Sequence, residues 1–141
     1  MLQFINPLLH KALQSISPCQ LCNVEQQQIH SVCADCWQQL PWLKSTVQRQ
    51  EMEIHTTCHY DYPIDRIIQK FKYEQQLHFQ QLLAGAFMQL RLPKIQAIVP
   101  MPISKQRLAE RGYNQSLVLG KILAKQLNLP IWQPITRLQQ H

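Results

Sequence analysis

The chain has 141 residues, 45% of them hydrophobic and only 16% charged, with a formal net charge of +6. That length fits one modest domain, or a small module plus a larger piece, and no stretch is long and apolar enough to span a membrane. The charge is uneven: residues 1–60 carry three basic and four acidic residues, whereas residues 61–141 carry eleven basic and four acidic ones. Attraction for phosphate therefore belongs to the second part of the chain.

Residues 1–16 place Phe4, Ile5, Leu8, Leu9, Ala12, Leu13 and Ile16 at helical spacing. They lack the positive start, long apolar run and small-residue cleavage site of a signal peptide. The expected location is therefore the cytoplasm, where five cysteines point to metal binding or free thiols over disulfides. A cysteine module runs from Cys19 to about Trp42. Residues 54–62 (IHTTCHYDY) read as a strand, and Pro63 sits where a helix can begin. Ile64, Ile67, Ile68 and Phe71 then mark a short amphipathic helix with Lys70 and Lys72 at its end.

A longer helix is expected through Phe79, Leu82, Leu83, Ala86, Phe87 and Leu90, closed by Pro93. Residues 95–100 (IQAIVP) read as a buried strand, followed by a polar loop, a helix from Ser116 to Leu127, and a further strand starting in IWQPITR. Strand, loop, helix, strand is the pattern of a parallel sheet. Gln residues scattered among Leu, Ile and Phe read as helix surface.

Two motifs carry chemistry. Cys19-Gln-Leu-Cys22 and Cys33-Ala-Asp-Cys36 are C-x-x-C pairs ten residues apart. Each tight turn aims two sulfurs at one ion, and two turns complete the tetrahedron of a closed structural zinc site. Redox-active pairs and an iron–sulfur cluster use the same donors and stay open from the sequence. Cys58 is the odd cysteine and reads as a half-buried thiol; His30 reads as a loop residue. The second motif is the stretch from Val99 to Ser116, at the C-terminal end of the expected parallel strand, where open α/β sheets bind ligands. Lys105, Arg107 and Arg111 supply positive charge, and one helical turn would put the two arginines on a common face. Gly112 permits a left-handed backbone, and Asn114 or Ser116 can cap the next helix. A solvated basic loop is the competing reading.

Taken in order, P-x-x-C-x-x-C, C-x-x-C-W-x-x-L-P, Tyr62 through I-I-x-x-F-K-Y, V-P-M-P-I-S and E-R-G-Y-N-Q-S resemble the ComF family of competence-associated proteins. The resemblance implies an α/β protein: an N-terminal helix and four-cysteine zinc ribbon over residues 1–43, then an incomplete type I phosphoribosyltransferase-like parallel sheet with helices over residues 54–141. It implies a loop from Pro102 to Arg107 for the pyrophosphate of phosphoribosyl pyrophosphate. The resemblance assigns Ser104, Lys105, Arg107, Arg111, Gly112, Asn114 and Gln115 to this site and implies that Lys72 faces the same cleft. Magnesium is implied for a longer form. The acidic pair and Thr-Gly turn of type I phosphoribosyltransferases do not occur in these residues, so no catalytic residue is assigned and the sequence reads as an N-terminal portion.

Three functions follow as expectations. The first is handling of incoming single-stranded DNA during natural transformation. The second is phosphoribosyl transfer in nucleotide metabolism. The third is a zinc-dependent interaction module for another competence protein, such as a helicase.

Overall fold

A computed structural model describes residues 7–14 and 16–138. Helix α1 (Pro7–Gln14) starts at a proline, whose missing N–H costs nothing in a first turn. Leu8, Leu9 and Leu13 are exposed, so the apolar stripe expected there covers no core among the described residues; Phe4 and Ile5 lie outside them.

The cysteine segment that follows is irregular, apart from the single-turn helix α2 (Ala34–Gln38). A hairpin comes next, β1 (Trp42–Arg49) and β2 (Met52–Cys58), paired antiparallel from Trp42↔Cys58 to Arg49↔Met52 with an irregularity between Trp42 and Ser45. Gln50, at φ +54°, takes the left-handed backbone of the tight turn. The strand expected over 54–62 is thus displaced: it begins at Met52, ends at Cys58, and has a partner that the sequence reading missed.

Helix α3 (Ile64–Tyr73) follows the expected pattern, burying Ile64, Ile67 and Phe71 at helical spacing and ending with Lys70 and Lys72 in its last turn. A 3₁₀ turn at Leu77–Phe79 leads into α4 (Gln80–Phe87). The long helix expected to reach Leu90 stops three residues earlier, at Phe87. The polar loop expected after residue 100 contains a helix, α5 (Lys105–Arg111), and is followed by α6 (Gln115–Leu127).

The expected parallel sheet is reduced to one bridge. Ile98 donates its N–H to the Pro130 carbonyl at 2.9 Å and accepts from the Trp132 N–H at 2.9 Å, which pairs Ile98 with Ile131 in parallel. Residues 95–97 and 132–138 make no ladder of their own, so the sole sheet among the described residues is the β1–β2 hairpin. Gly120 on α6 is buried, and a side chain there would meet Ile98 and Pro100, so α6 lies over this bridge.

A single apolar cluster joins the cysteine segment to the helices: Cys19, Val32, Cys33 and Leu40 pack with Ile64, Ile67, Phe71, Phe79, Leu82 and Leu83. Complete burial of Phe71 or Leu82 stabilises the fold by roughly 1.5–3 kcal/mol each. The cysteine segment therefore shares the core of the helical body. No helix among the described residues is long and apolar enough to cross a membrane.

Candidate metal centre and basic cleft

The sulfurs of Cys19, Cys22, Cys33 and Cys36 all lie within 4.8 Å of one another. Local hydrogen bonds bring them there. The Cys19 N–H donates to the Glu25 carbonyl at 2.7 Å, Asn23 N–H returns to the Cys19 carbonyl at 2.9 Å, and Gln20 N–H reaches the Ser31 carbonyl at 3.1 Å. Two amides also donate to sulfur, Leu21 N–H to Cys19 Sγ and Cys36 N–H to Cys33 Sγ, each at 3.4 Å. Asn23, His30 and Ser31 have positive φ, the backbone that tight turns around a cysteine pair demand.

The donor set fits a divalent cation. Burial opposes ionisation of Cys19, yet the amide hydrogens of Cys22, Cys33 and Leu21 outweigh it and bring the thiol down to about 6. Burial pushes Cys36 up, and the neighbouring Cys33, Cys19 and Cys22 sulfurs add to the rise. At Cys33 the Cys36 amide favours the thiolate, but burial and the other sulfurs prevail and raise it. One thiolate forms readily and the next are resisted by their neighbours, which is the repulsion a bound cation removes. Four closed sulfur ligands with no open position are compatible with structural zinc.

Trp37 and Trp42 brace this centre. Their rings meet edge-on at 4.9 Å, and the Trp42 indole N–H donates to the Trp37 carbonyl at 3.0 Å. His30 leans on Trp37 at 4.9 Å and sits against Gly85 of α4, where a Cβ would overlap its ring. Burial lowers the His30 pKa. The loop reading of His30 missed this contact, which joins the cysteine segment to α4. Cys58 is half-buried outside the cluster, with its thiol pushed up by burial.

The second feature is a cleft of about 370 Å³ lined by Lys72, Tyr73, Gln75, Arg107, Glu110 and Arg111. Its two walls are the end of α3 and the face of α5. Ser104 is buried and caps α5, its Oγ accepting from the Arg107 N–H at 3.3 Å. Gly112, at φ +84°, closes α5 in the left-handed conformation. Asn114 caps α6, accepting from the Ser116 N–H at 3.0 Å, and its Nδ2 donates to the Met101 carbonyl at 3.0 Å. Gln115 accepts a hydrogen bond from the Arg111 guanidinium, and the Tyr113 hydroxyl donates to the Phe71 carbonyl.

Of the expected anion-site residues, Lys72, Arg107 and Arg111 thus meet in one cleft. Ser104, Gly112, Asn114 and Gln115 shape the helices and hold Arg111, and Lys105 is exposed at the start of α5, away from the cleft lining. Sequence reasoning missed Tyr73, Gln75 and Glu110 as cleft residues. For Tyr73 and Glu110 the signal was adjacency: Tyr73 follows Lys72, and Glu110 precedes Arg111.

The protein is thus a mixed α/β body with a four-cysteine centre near the start of α3 and a cationic cleft at the end of that helix. Two curated proteins are similar in sequence. Competence protein F of Haemophilus influenzae is 30% identical over 142 aligned residues, covering 93% of this chain and 57% of the relative. Competence protein ComFC of Bacillus subtilis is 30% identical over 125 residues, covering 85% of this chain and 49% of the relative. No family profile and no solved structure matches. Both matches run over most of this chain and support its membership of the ComF family, and the chain spans about half the length of the curated relatives it matches.

Proposed function

We propose that the chain acts in natural competence by binding the phosphates of incoming single-stranded DNA in the cytoplasm, with the same cleft open to phosphoribosyl pyrophosphate. The observation that carries this reading is the convergence of Lys72, Arg107 and Arg111, from two helices distant in sequence, on one cleft. Three cations against the single carboxylate of Glu110 favour an anionic ligand, and arginine forks match phosphate oxygens in pairs. The names of the two curated relatives support the competence role.

The Ile98–Ile131 bridge, with α5 and α6 between its partners, supports a phosphoribosyltransferase-like crossover in which residues 102–107 follow the strand end. Cys19, Cys22, Cys33 and Cys36 hold one zinc that fixes the core residues and helices packed around it.

The test is fluorescence anisotropy with a labelled single-stranded oligonucleotide at low salt, with phosphoribosyl pyrophosphate as competitor. Binding that weakens in Lys72→Ala, Arg107→Ala and Arg111→Ala, but not in Arg49→Ala on the hairpin, is expected. Absence of binding, or equal affinity across all four variants, overturns the reading. Binding without competition removes phosphoribosyl pyrophosphate from it.

A further inference from the structure

The cleft holds more than charge. Tyr73 is the last residue of α3 and one of the cleft's linings, yet it is 69% exposed. Phe71, two residues earlier, is by contrast turned into the core at 2% exposure. Here the Arg111 guanidinium lies over the Tyr73 ring, 5.2 Å from its centroid. Arg111 is itself held by Gln115, so the cation and the ring are presented as a unit. With that exposure, much of the ring is accessible to a ligand in the cleft.

An exposed aromatic ring beside clustered cations is the arrangement that takes an unpaired base and its phosphate together. The phosphates of the strand meet Lys72, Arg107 and Arg111, while a base stacks on the ring beside them. A bare phosphate ligand has no use for the ring. A cleft of about 370 Å³ also exceeds what a phosphate group alone fills and lies in the range of small-ligand sites. Trp37 and Trp42 are engaged with each other beside the cysteine centre and cannot take this role.

We infer that Tyr73 is a base-stacking residue that makes the cleft selective for single-stranded nucleotides carrying an exposed base over phosphate alone; this rests on the phosphate reading of the same cleft. Tyr73 sets specificity, and Lys72, Arg107 and Arg111 set the phosphate affinity common to all ligands.

The experiment compares a thymidine oligonucleotide with an abasic oligonucleotide of the same length and charge, using the 141-residue chain with its zinc content verified. Wild type is expected to bind the thymidine strand about tenfold more tightly, the scale of one base–aromatic stack. Tyr73→Ala lowers thymidine-strand affinity to the abasic level and leaves abasic binding unchanged, whereas Tyr73→Phe keeps the preference. Arg107→Ala weakens both strands alike. Equal wild-type affinity for the two strands, or a preference that survives Tyr73→Ala, overturns the stacking role and leaves the phosphate reading intact. Failure to bind either strand overturns the phosphate reading and the stacking role with it.

Discussion

The Tyr113 hydroxyl donates to the main-chain carbonyl of Phe71, tying the corner between α5 and α6 to the end of α3. Their rings also meet, at 6.1 Å. This link holds the two walls of the cleft together, because Lys72 and Tyr73 directly follow Phe71 and Arg111 precedes Tyr113 by two positions. Burial raises the Tyr113 pKa, against the opposing pull of Arg111, so the phenol keeps its proton and remains a donor.

Tyr113→Phe is expected to cost about 1 kcal/mol of stability, the net worth of one hydrogen bond. Urea unfolding measures that loss. The same variant should also bind oligonucleotide more weakly, since α3 is no longer held against α5.

Removing the metal should destabilise the helices as well as the cysteine segment, because Cys19, Val32, Cys33 and Leu40 share one core with Phe71 and Leu82. Zinc binding in small structural modules is worth roughly 10–16 kcal/mol, more than a chain of this size can spare. One zinc per chain is expected by metal analysis. Cys36→Ser should abolish it and lower Tm, with a change in tryptophan fluorescence as the Trp37–Trp42 pair separates. A Cys36→Ser variant that keeps full metal content and Tm contradicts the site.

Gly85→Ala is expected to destabilise by about 1–3 kcal/mol, the usual cost of overpacking, because the added Cβ overlaps the His30 ring. The diagnostic measurement is a double-mutant cycle. Adding His30→Ala should recover much of the loss if the contact is the cause, and none if the helix itself is disturbed.

His30 also predicts a pH dependence. Burial holds its pKa below the ordinary 6.5, so the unfolded chain binds more protons there than the folded one. Its neutral packing is retained above that value, and stability is lost as pH falls below it. Zinc release contributes its own acid sensitivity, so the useful quantity is the difference in Tm between wild type and His30→Asn. Wild type should lose ground to the variant from about pH 7.5 to about pH 5.5. A difference that stays constant contradicts the assignment.

The features legible in the sequence were those written in local spacing. The cysteine pairs needed only their intervals, and α3 and α6 needed only apolar periodicity through Ile64, Ile67 and Phe71 and through Leu119 and Leu123. The hairpin was hard to see because β1 is exposed at most positions and shows no inward–outward alternation. The strand expected at 95–100 failed because its apolar run has one pairing partner, Ile131, and a single bridge makes no ladder. Helix α5 passed for a loop although its start and stop signals were both present, Ser104 before it and Gly112 after it. The positive residues of the cleft were recognised from type and order, but Tyr73, Glu110 and the His30–Gly85 contact depend on how distant segments meet.

Lys72, Arg107 and Arg111 are expected to neutralise the phosphates of a bound strand. The most direct measurement is the dependence of single-stranded oligonucleotide affinity on salt, for wild type and for Arg107→Gln. Each neutralised phosphate contributes a slope of about −0.7 in log K against log salt. Wild type should show a slope of about −2, and Arg107→Gln a shallower one by about 0.7. An affinity insensitive to salt, or a slope unchanged by Arg107→Gln, would contradict the account.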